Sequence, residues 1–489
     1  MINFDNSYSK LPDIFFERIN PVAVKKPSLI QFNKSLAKEI GLNLEKKENL
    51  FSEIFSGNKI LKGSEPIALA YAGHQFGHFV PQLGDGRAIL LGEIINNDGR
   101  RFDIQLKGSG QTRYSRGGDG RAPLGPVIRE YIISEAMHAL DIPTTRSLAI
   151  VATGEMVSRE TLLPGGILTR IASSHLRVGT FEYFAAFKDL KNLKLLTDYA
   201  INRHFPNIKN DDDFRYQKFL KLVCENQASL IAKWMHVGFI HGVMNTDNTS
   251  ISGETIDYGP CAFMDNYDPN TVFSSIDHHG RYAYGNQPNI AQWNIACLGQ
   301  CLLPLINTER NKAIEIVEEI LDGFADAFRK YWLNGMYKKI GLLENKKNNH
   351  ILLDELLRLM EKDKSDFTLT FRYLSNLVEE ENNNSLFKQQ FLSKNEIDSW
   401  LVKWKECLKK EGNSEKEIKK LMLKVNPAFI PRNHQVEKAI YEVINNYDYS
   451  YVNRLIELLN KPYNYQPDNL EYMNPPDNYD QNYQTFCGT

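Results

Sequence analysis

The stretch His241-Gly-Val-Met-Asn-Thr-Asp-Asn-Thr-Ser-Ile-Ser-Gly-Glu-Thr-Ile-Asp-Tyr-Gly259 constrains this chain more than any other. It is rich in turn-forming residues, and a long amphipathic helix, expected over 214–237, leads into it. Asp247, Asn248 and Asp257 place three oxygen-bearing side chains within eleven residues. Hard divalent cations take oxygen ligands, so Asn248 and Asp257 are candidate metal ligands. Asp247 is then free to accept a proton, and it is the candidate catalytic residue. A loop of this kind needs rigid elements on both sides, which 489 residues can supply in two or three lobes.

The spacing resembles the catalytic loop of protein kinases, H-R-D-L-x-x-x-N followed by D-F-G. Asn248 falls at the eighth place, and Asp257-Tyr258-Gly259 fills the second motif. The third place, where kinases keep their base, holds Val243. An aliphatic side chain accepts no proton, so the usual phosphotransfer base is missing while the metal-holding pair remains.

Upstream, 88–95 and 101–106 alternate as two strands around an Asn96-Asn-Asp-Gly99 turn, and Lys107 ends the second. Gly84-Asp-Gly-Arg87 precedes the first strand, where glycine amides approach phosphates and Arg87 adds a cation. A third Asp-Gly-Arg, at Asp119-Gly120-Arg121 after the copies at 85–87 and 98–100, lies in a polar loop with Arg113 and Arg116. A helix is expected from Pro126 to about Leu140, carrying Glu130 and Glu135. A carboxylate there could pair with Lys107, and helical angle alone leaves both open. Arg170 and Arg177, seven apart, would share one helix face and suit an oligophosphate. Another helix is expected over 29–40, capped by Ser28, and a strand over 144–152 with a polar turn at Gly154-Glu155. His74 and His78 have the spacing of a zinc helix, but Gly73 and Gly77 weaken helix there, so they read as hydrogen-bonded structural histidines. Polar linkers are expected at 345–350 and 379–385, a solvated helix face around 409–420, and an irregular tail over the last ~30 residues.

A net charge of −2 and a pI near 6.6 give no global field for nucleic acid or an anionic membrane. No apolar run approaches the ~20 residues of a membrane span. Six cysteines without a C-x-x-C pair fit a reducing compartment, and the expectation is a cytoplasmic protein.

Seven blocks, in order, resemble the selenoprotein O (SelO) family: Tyr71-Ala-Gly-His-Gln-Phe-Gly, Gln82-Leu-Gly-Asp-Gly-Arg-Ala, Leu106-Lys-Gly-Ser-Gly-Gln-Thr, Asp119-Gly-Arg-Ala, Ser134-Glu-Ala-Met-His, His241-Gly-Val-Met-Asn-Thr-Asp-Asn and Asn426-Pro-Ala-Phe-Ile-Pro-Arg-Asn. The resemblance implies an α+β, protein-kinase-like bilobal fold with a β-rich N-lobe and a larger helical C-lobe. The expected division is an extension at 1–65, the N-lobe at 66–160, the C-lobe at 161–460 and a tail at 461–489. It also implies a protein adenylyltransferase that binds ATP in a flipped orientation and moves AMP onto Ser, Thr or Tyr hydroxyls of protein substrates. By the same resemblance Lys107 pairs with Glu130, Arg170 and Arg177 hold phosphates, and Gly84, Gly86, Arg87, Asp119 and Gly120 line the nucleotide site. Asn248 and Asp257 would hold Mg²⁺ or Mn²⁺, with Asp247 as the base. Some members carry a selenocysteine where Cys487 stands, and some pair that position with a loop cysteine where this chain has Phe273. The alternatives are an atypical kinase moving the γ-phosphate, disfavoured by Val243, and a scaffold that binds ATP without catalysis.

Overall fold

The computed structural model describes residues 2–42, 48–342, 347–379, 385–476 and 483–485. The expected hairpin lies at the centre of its main sheet. The two strands pair antiparallel from Ala88↔Lys107 to Ile95↔Arg101, and Gly99 N–H closes the turn on Asn96 O at 3.0 Å. In chain order the strands are β1 (Phe16–Arg18), β2 (Ser28–Phe32), β3 (Ile67–Leu69), β4 (Gly73–Gln75), β5 (His78–Val80), β6 (Ala88–Ile95) and β7 (Arg101–Lys107). They continue as β8 (Ala122–Pro123), β9 (Arg146–Ser158), β10 (Leu162–Ala172), β11 (Phe239–Ile240) and β12 (Ala262–Phe263). The main sheet runs β1-β3-β6-β7-β10-β9-β2, with β8 also on β10. The Leu124–Ala139 helix buries Leu124, Val127, Ile128, Tyr131 and Ile132 in a cluster with Ile150 of β9 and Leu168 of β10.

From Val178 onward helices dominate. Arg215–His236, Gln287–Ile306 and Arg310–Lys339 pack together through Phe219, Leu220, Val223, Leu298, Leu302 and Val317. The short pair β11 and β12 joins Phe239 to Phe263 and Ile240 to Ala262. This clip closes the ends of the segment that holds His241–Gly259. The chain is therefore α+β, as expected, and among the described residues no helix is long and apolar enough to cross a membrane.

Five local expectations are corrected. The run at 29–40 is a strand, β2, followed by the Lys34–Glu39 helix. Leu29, Gln31 and Phe32 pair with β9, and Asn33, not Ser28, caps the helix by accepting Leu36 N–H. Apolar residues four apart suited either element, and the open sheet edge decided. Gly154-Glu155 does not end the next strand. β9 runs on to Ser158, with Gly154 at φ 70° packed against Lys26 and a register shift opposite Pro164 and Gly166. The charged stretch at 409–420 is split by Gly412, at φ 77°, between the Lys394–Glu411 and Glu415–Val425 helices. The tail is not wholly irregular: Pro467–Asn469 and Leu470–Met473 are helical, and Thr485 is buried, bonded to Phe273 and Pro260. The linker expected at 345–350 is shorter than that, because 347–350 open the Lys347–Asp363 helix, while the one at 379–385 falls largely outside the described residues and Cys487 wholly outside them.

One buried ion cluster ties the segment after β12 to the C-terminal helices. Arg432, fully buried, reaches Asp265 Oδ1 at 2.5 Å and Asp366 at 2.6 and 3.1 Å. Removing one side of a buried pair strands the other charge. Arg432→Met is expected to destabilise the protein by about 3 kcal/mol or more, because two buried carboxylates lose their cation. Denaturant unfolding checks this, and a midpoint equal to that of the unmodified protein would contradict it.

Candidate nucleotide and acceptor site

Lys107 leaves the end of β7 with its ammonium 2.7 Å from Glu130 Oε2 and 2.5 Å from Asp257 Oδ1. Glu130 comes from the Leu124–Ala139 helix and is 2% exposed. Its other oxygen accepts from Arg170 Nε at 2.8 Å and Nη2 at 2.5 Å, and Arg170 Nη2 also lies 3.2 Å from Asp257 Oδ1. Burial raises both acids, but the surrounding cations win. Arg170 and Lys107 hold Glu130 below the usual carboxylate range, and Lys107 and Arg170 hold Asp257 well below it. Glu135, the alternative partner, belongs elsewhere: it binds Arg146 at 2.8 Å and the amide of Ser147 at 2.9 Å.

Arg170 and Arg177 do not share a helix. Arg170 sits on β10 opposite Gln105, and Arg177 caps the start of the Val178–Ala186 helix. The turn between them brings the guanidiniums to one site all the same. Arg177 stacks over Tyr71 at 4.5 Å, donates to Asp247 O at 3.0 Å and lies 3.7 Å from Asp85 Oδ1. Its Nε is buried without a partner. Three cations (Lys107, Arg170, Arg177) thus face four carboxylates (Asp85, Glu130, Asp247, Asp257). A triphosphate brought here needs more positive charge. Half-buried Arg87 is near enough to contribute to lowering Asp257, and a divalent ion would supply the rest.

The glycine-rich loops clasp one another above this cluster. A Cβ on Gly84 would lie 2.3 Å from the Tyr114 ring, and one on Gly120 would lie 2.1 Å from the Gly110 backbone. Thr112 Oγ1 donates to Asp85 O at 2.7 Å, and the Ser115 hydroxyl donates to Gly86 O. Asp119 is exposed and paired with Arg159 at 3.0 and 3.1 Å. It therefore stands at the rim, away from the lysine.

The 241–259 loop is held from below by His241. The ring donates to Ile256 O at 2.9 Å, accepts from Val243 N–H at 3.3 Å and stacks on Trp234. Burial keeps it neutral. Val243 is buried. Asn248 donates from Nδ2 to Val243 O at 3.0 Å, which fixes the amide and leaves Oδ1 as its available acceptor. Asp257 adopts φ 69°, a costly backbone for a residue other than glycine, and this aims its carboxylate at the lysine. Asn248 Oδ1 and the Asp257 carboxylate are the hard oxygen donors that Mg²⁺ or Mn²⁺ prefers, so the residues present fit such an ion. Asp247 Oδ1 is buried with no hydrogen-bond partner, and burial, partly offset by Arg177, pushes the carboxyl up to about 7.

The β4–β5 hairpin caps this loop. His74 lies on strand β4 and not on a helix. Its amide donates to Thr246 Oγ1 at 2.7 Å, Thr246 Oγ1 donates to Glu182 Oε2 at 2.5 Å, and Glu182 Oε1 meets His74 Nδ1 at 2.5 Å. Cys297 brings its sulfur within 4.8 Å of the same His and Glu atoms. The His–Glu pair is already closed, and burial and Glu182 push the Cys297 thiol up to about 12, so this trio joins the hairpin to the loop. Phe76 N–H and the Tyr282 hydroxyl converge on Asn245 Oδ1 at 3.0 and 2.6 Å. A Cβ on Gly73 would lie 2.8 Å from Asp247 Oδ1, so glycine is what lets the hairpin rest there.

Sequence reasoning missed Tyr71, Asp85, Glu182 and Thr246. Asp85 and Thr246 stand inside motifs already singled out, where neighbours drew the attention. Glu182 is a lone acid in a helix and carries no sequence signal.

The family described as "Protein adenylyltransferase SelO" matches residues 1–460. The chain is similar to proteins named protein nucleotidyltransferase YdiU. It is 55% identical over 486 residues to that of Maridesulfovibrio salexigens, covering 99% of this chain and 98% of the relative. It is 54% identical over 488 residues to that of Rhizobium rhizogenes (100% and 97%) and to that of Clostridium perfringens (100% and 98%). With nearly full-length identity added to the site described above, the chain belongs to the SelO family of protein adenylyltransferases.

Proposed function

We propose that this chain transfers AMP from ATP to Ser, Thr or Tyr hydroxyls of protein substrates, through a protein-kinase-like bilobal arrangement. In this reading 1–65 is an extension, 66–160 the N-lobe, 161–460 the C-lobe and 461–489 the tail. One observation carries it. Asp247 offers a buried, unpartnered carboxylate oxygen beside a cluster of phosphate-seeking cations, while the kinase base position holds Val243.

Lys107, set by Glu130, would grip the phosphates together with Arg170 and Arg177. Gly84, Gly86, Arg87 and Gly120 would line the nucleotide, with Asp119 at the rim. Asn248 and Asp257 would hold Mg²⁺ or Mn²⁺, which neutralises charge on the phosphates when bound. Asp247 takes the proton of the acceptor hydroxyl as its oxygen bonds to the α-phosphorus. The bond from that phosphorus to the bridging oxygen breaks, and pyrophosphate leaves against the cationic side chains. The free thiols of Cys224, Cys261, Cys297, Cys301 and Cys407 support a reducing, cytoplasmic setting, and the charge balance supports a protein rather than nucleic acid partner.

The reading is tested by the intact mass of an acceptor protein after incubation with ATP, with and without a chelator. A gain of one AMP that needs divalent metal supports it, and a gain of phosphate alone overturns it. The hairpin contact adds a finer expectation. Thr246→Val keeps the side-chain shape but loses both bonds of the hydroxyl, so transfer should fall about tenfold or more with ATP affinity unchanged. Thr246→Ser should recover most of the loss. Equal rates in all three proteins would contradict a positioning role for Thr246.

A further inference from the structure

Arg281 is a guanidinium without a carboxylate. It lies in the segment that follows Asp257-Tyr258-Gly259, and its backbone is fixed on both sides. Its amide donates to Asp277 Oδ1 at 2.9 Å, and its carbonyl accepts from Asn286 Nδ2 at 2.6 Å. The guanidinium stacks on Trp293 at 4.8 Å and lies 3.7 Å from the position a Cβ on Gly77 would take. Trp293 in turn meets the His74 ring edge-on at 5.2 Å, and a Cβ on Gly73, next in the chain, would lie 2.8 Å from Asp247 Oδ1. Arg281 thus stands on the outer side of the hairpin whose inner side rests on the proposed base.

No Asp or Glu among the described residues lies within ion-pair distance of Arg281, although the structure pairs many other arginines. The acid nearest in sequence, Asp277, gives its two oxygens to the amides of Arg281 and Tyr282. Glu182, across the hairpin, is closed by His74 and Thr246. Arg281 Nε is buried with no partner. His78, next to Gly77, and His278 and His279, shortly before Arg281 in the chain, are exposed and carry no negative charge. Aromatic stacking offsets part of the cost of such a cation, and its side-chain contact with the Tyr282 hydroxyl is to a neutral group, so the charge itself is left unmatched. A carboxylate matches that planar fork, and Arg–carboxylate pairs are among the stronger charge-assisted contacts.

We propose that Arg281 is a specificity residue for the acceptor: it receives a carboxylate side chain of the protein substrate, close to the hydroxyl that is modified. The inference rests on the AMP-transfer reading above and adds the chemistry of the acceptor's flanking sequence. An acceptor chain reaching Asp247 must pass the hairpin, and there it meets a stacked arginine whose charge is unanswered. The guanidinium, set apart from the phosphate-binding cations, acts on acceptor binding and not on ATP.

The test uses the full-length protein and a set of Thr-centred peptides carrying Glu, Gln or Lys at each of about three positions on either side. Label from [α-³²P]ATP is counted on each peptide. The unmodified protein is expected to favour Glu over Gln by about tenfold at one or more positions. Arg281→Gln should abolish that preference, and Arg281→Glu should turn it toward Lys. ATP affinity and the thermal midpoint should stay as in the unmodified protein. Arg281→Lys keeps the charge without the planar fork and should retain a weaker preference, which guards against a misfolded Arg281→Glu. If labelling occurs with no charge preference, or if Arg281→Gln and Arg281→Lys keep the original ranking, the acceptor inference falls alone. If no peptide or protein receives α-label, the AMP-transfer reading falls with it.

Discussion

Asp247→Asn is expected to bind ATP as tightly as the unmodified protein and to transfer AMP at least about a hundredfold more slowly. The amide has nearly the same shape as the carboxylate, so the contact with Gly73 and the Arg177 bond to the Asp247 carbonyl both survive. Only the ability to take a proton is lost. Removing a buried charge that Arg177 and Gln75 only partly offset should leave stability about equal, since no hydrogen bond to Oδ1 is sacrificed. The checks are single-turnover transfer, ATP binding by calorimetry and thermal unfolding on one preparation. Transfer at the original rate would remove Asp247 from the chemistry.

Asp257→Asn should behave differently. Its carboxylate lies between Lys107 and Arg170 and is the one anionic member of the proposed metal pair. The variant should lose the metal dependence of ATP binding and, with it, at least about a hundredfold in transfer. ATP affinity measured with and without Mg²⁺ separates the two carboxylates. Asp247→Asn should keep the metal effect, and Asp257→Asn should not. If Asp257→Asn still binds ATP more tightly with Mg²⁺ than without, the metal assignment is wrong.

Much of the site could be read from the sequence because its parts are local. The strands ending at Lys107 announce themselves by alternation and a turn tetrapeptide, and Asn248 and Asp257 by their spacing. Elements whose identity depends on distant partners could not be read so easily. Residues 29–32 carry helical spacing, yet β9 supplied an edge that made them a strand. The choice between Glu130 and Glu135 escaped helical-angle reasoning for a related reason. Their helix is buried on several sides, so both acids lie inside, each with its own arginine. Arg170 and Arg177 were expected together on a helix and came together from a strand and a helix cap. Glu182 and Arg281, single charges in unremarked segments, acquire meaning only when the hairpin folds over the loop.

In the proposed reaction the α-phosphorus, and not the γ, reaches the acceptor. The most direct measurement gives the protein ATP labelled at one phosphorus or the other, with Mg²⁺ or Mn²⁺ and an acceptor protein, and follows the label onto the acceptor. Label is expected from the α position alone, abolished in Asp247→Asn. Label arriving from the γ position alone would make the chain a phosphotransferase that works without a base at Val243, and would contradict the proposed reaction.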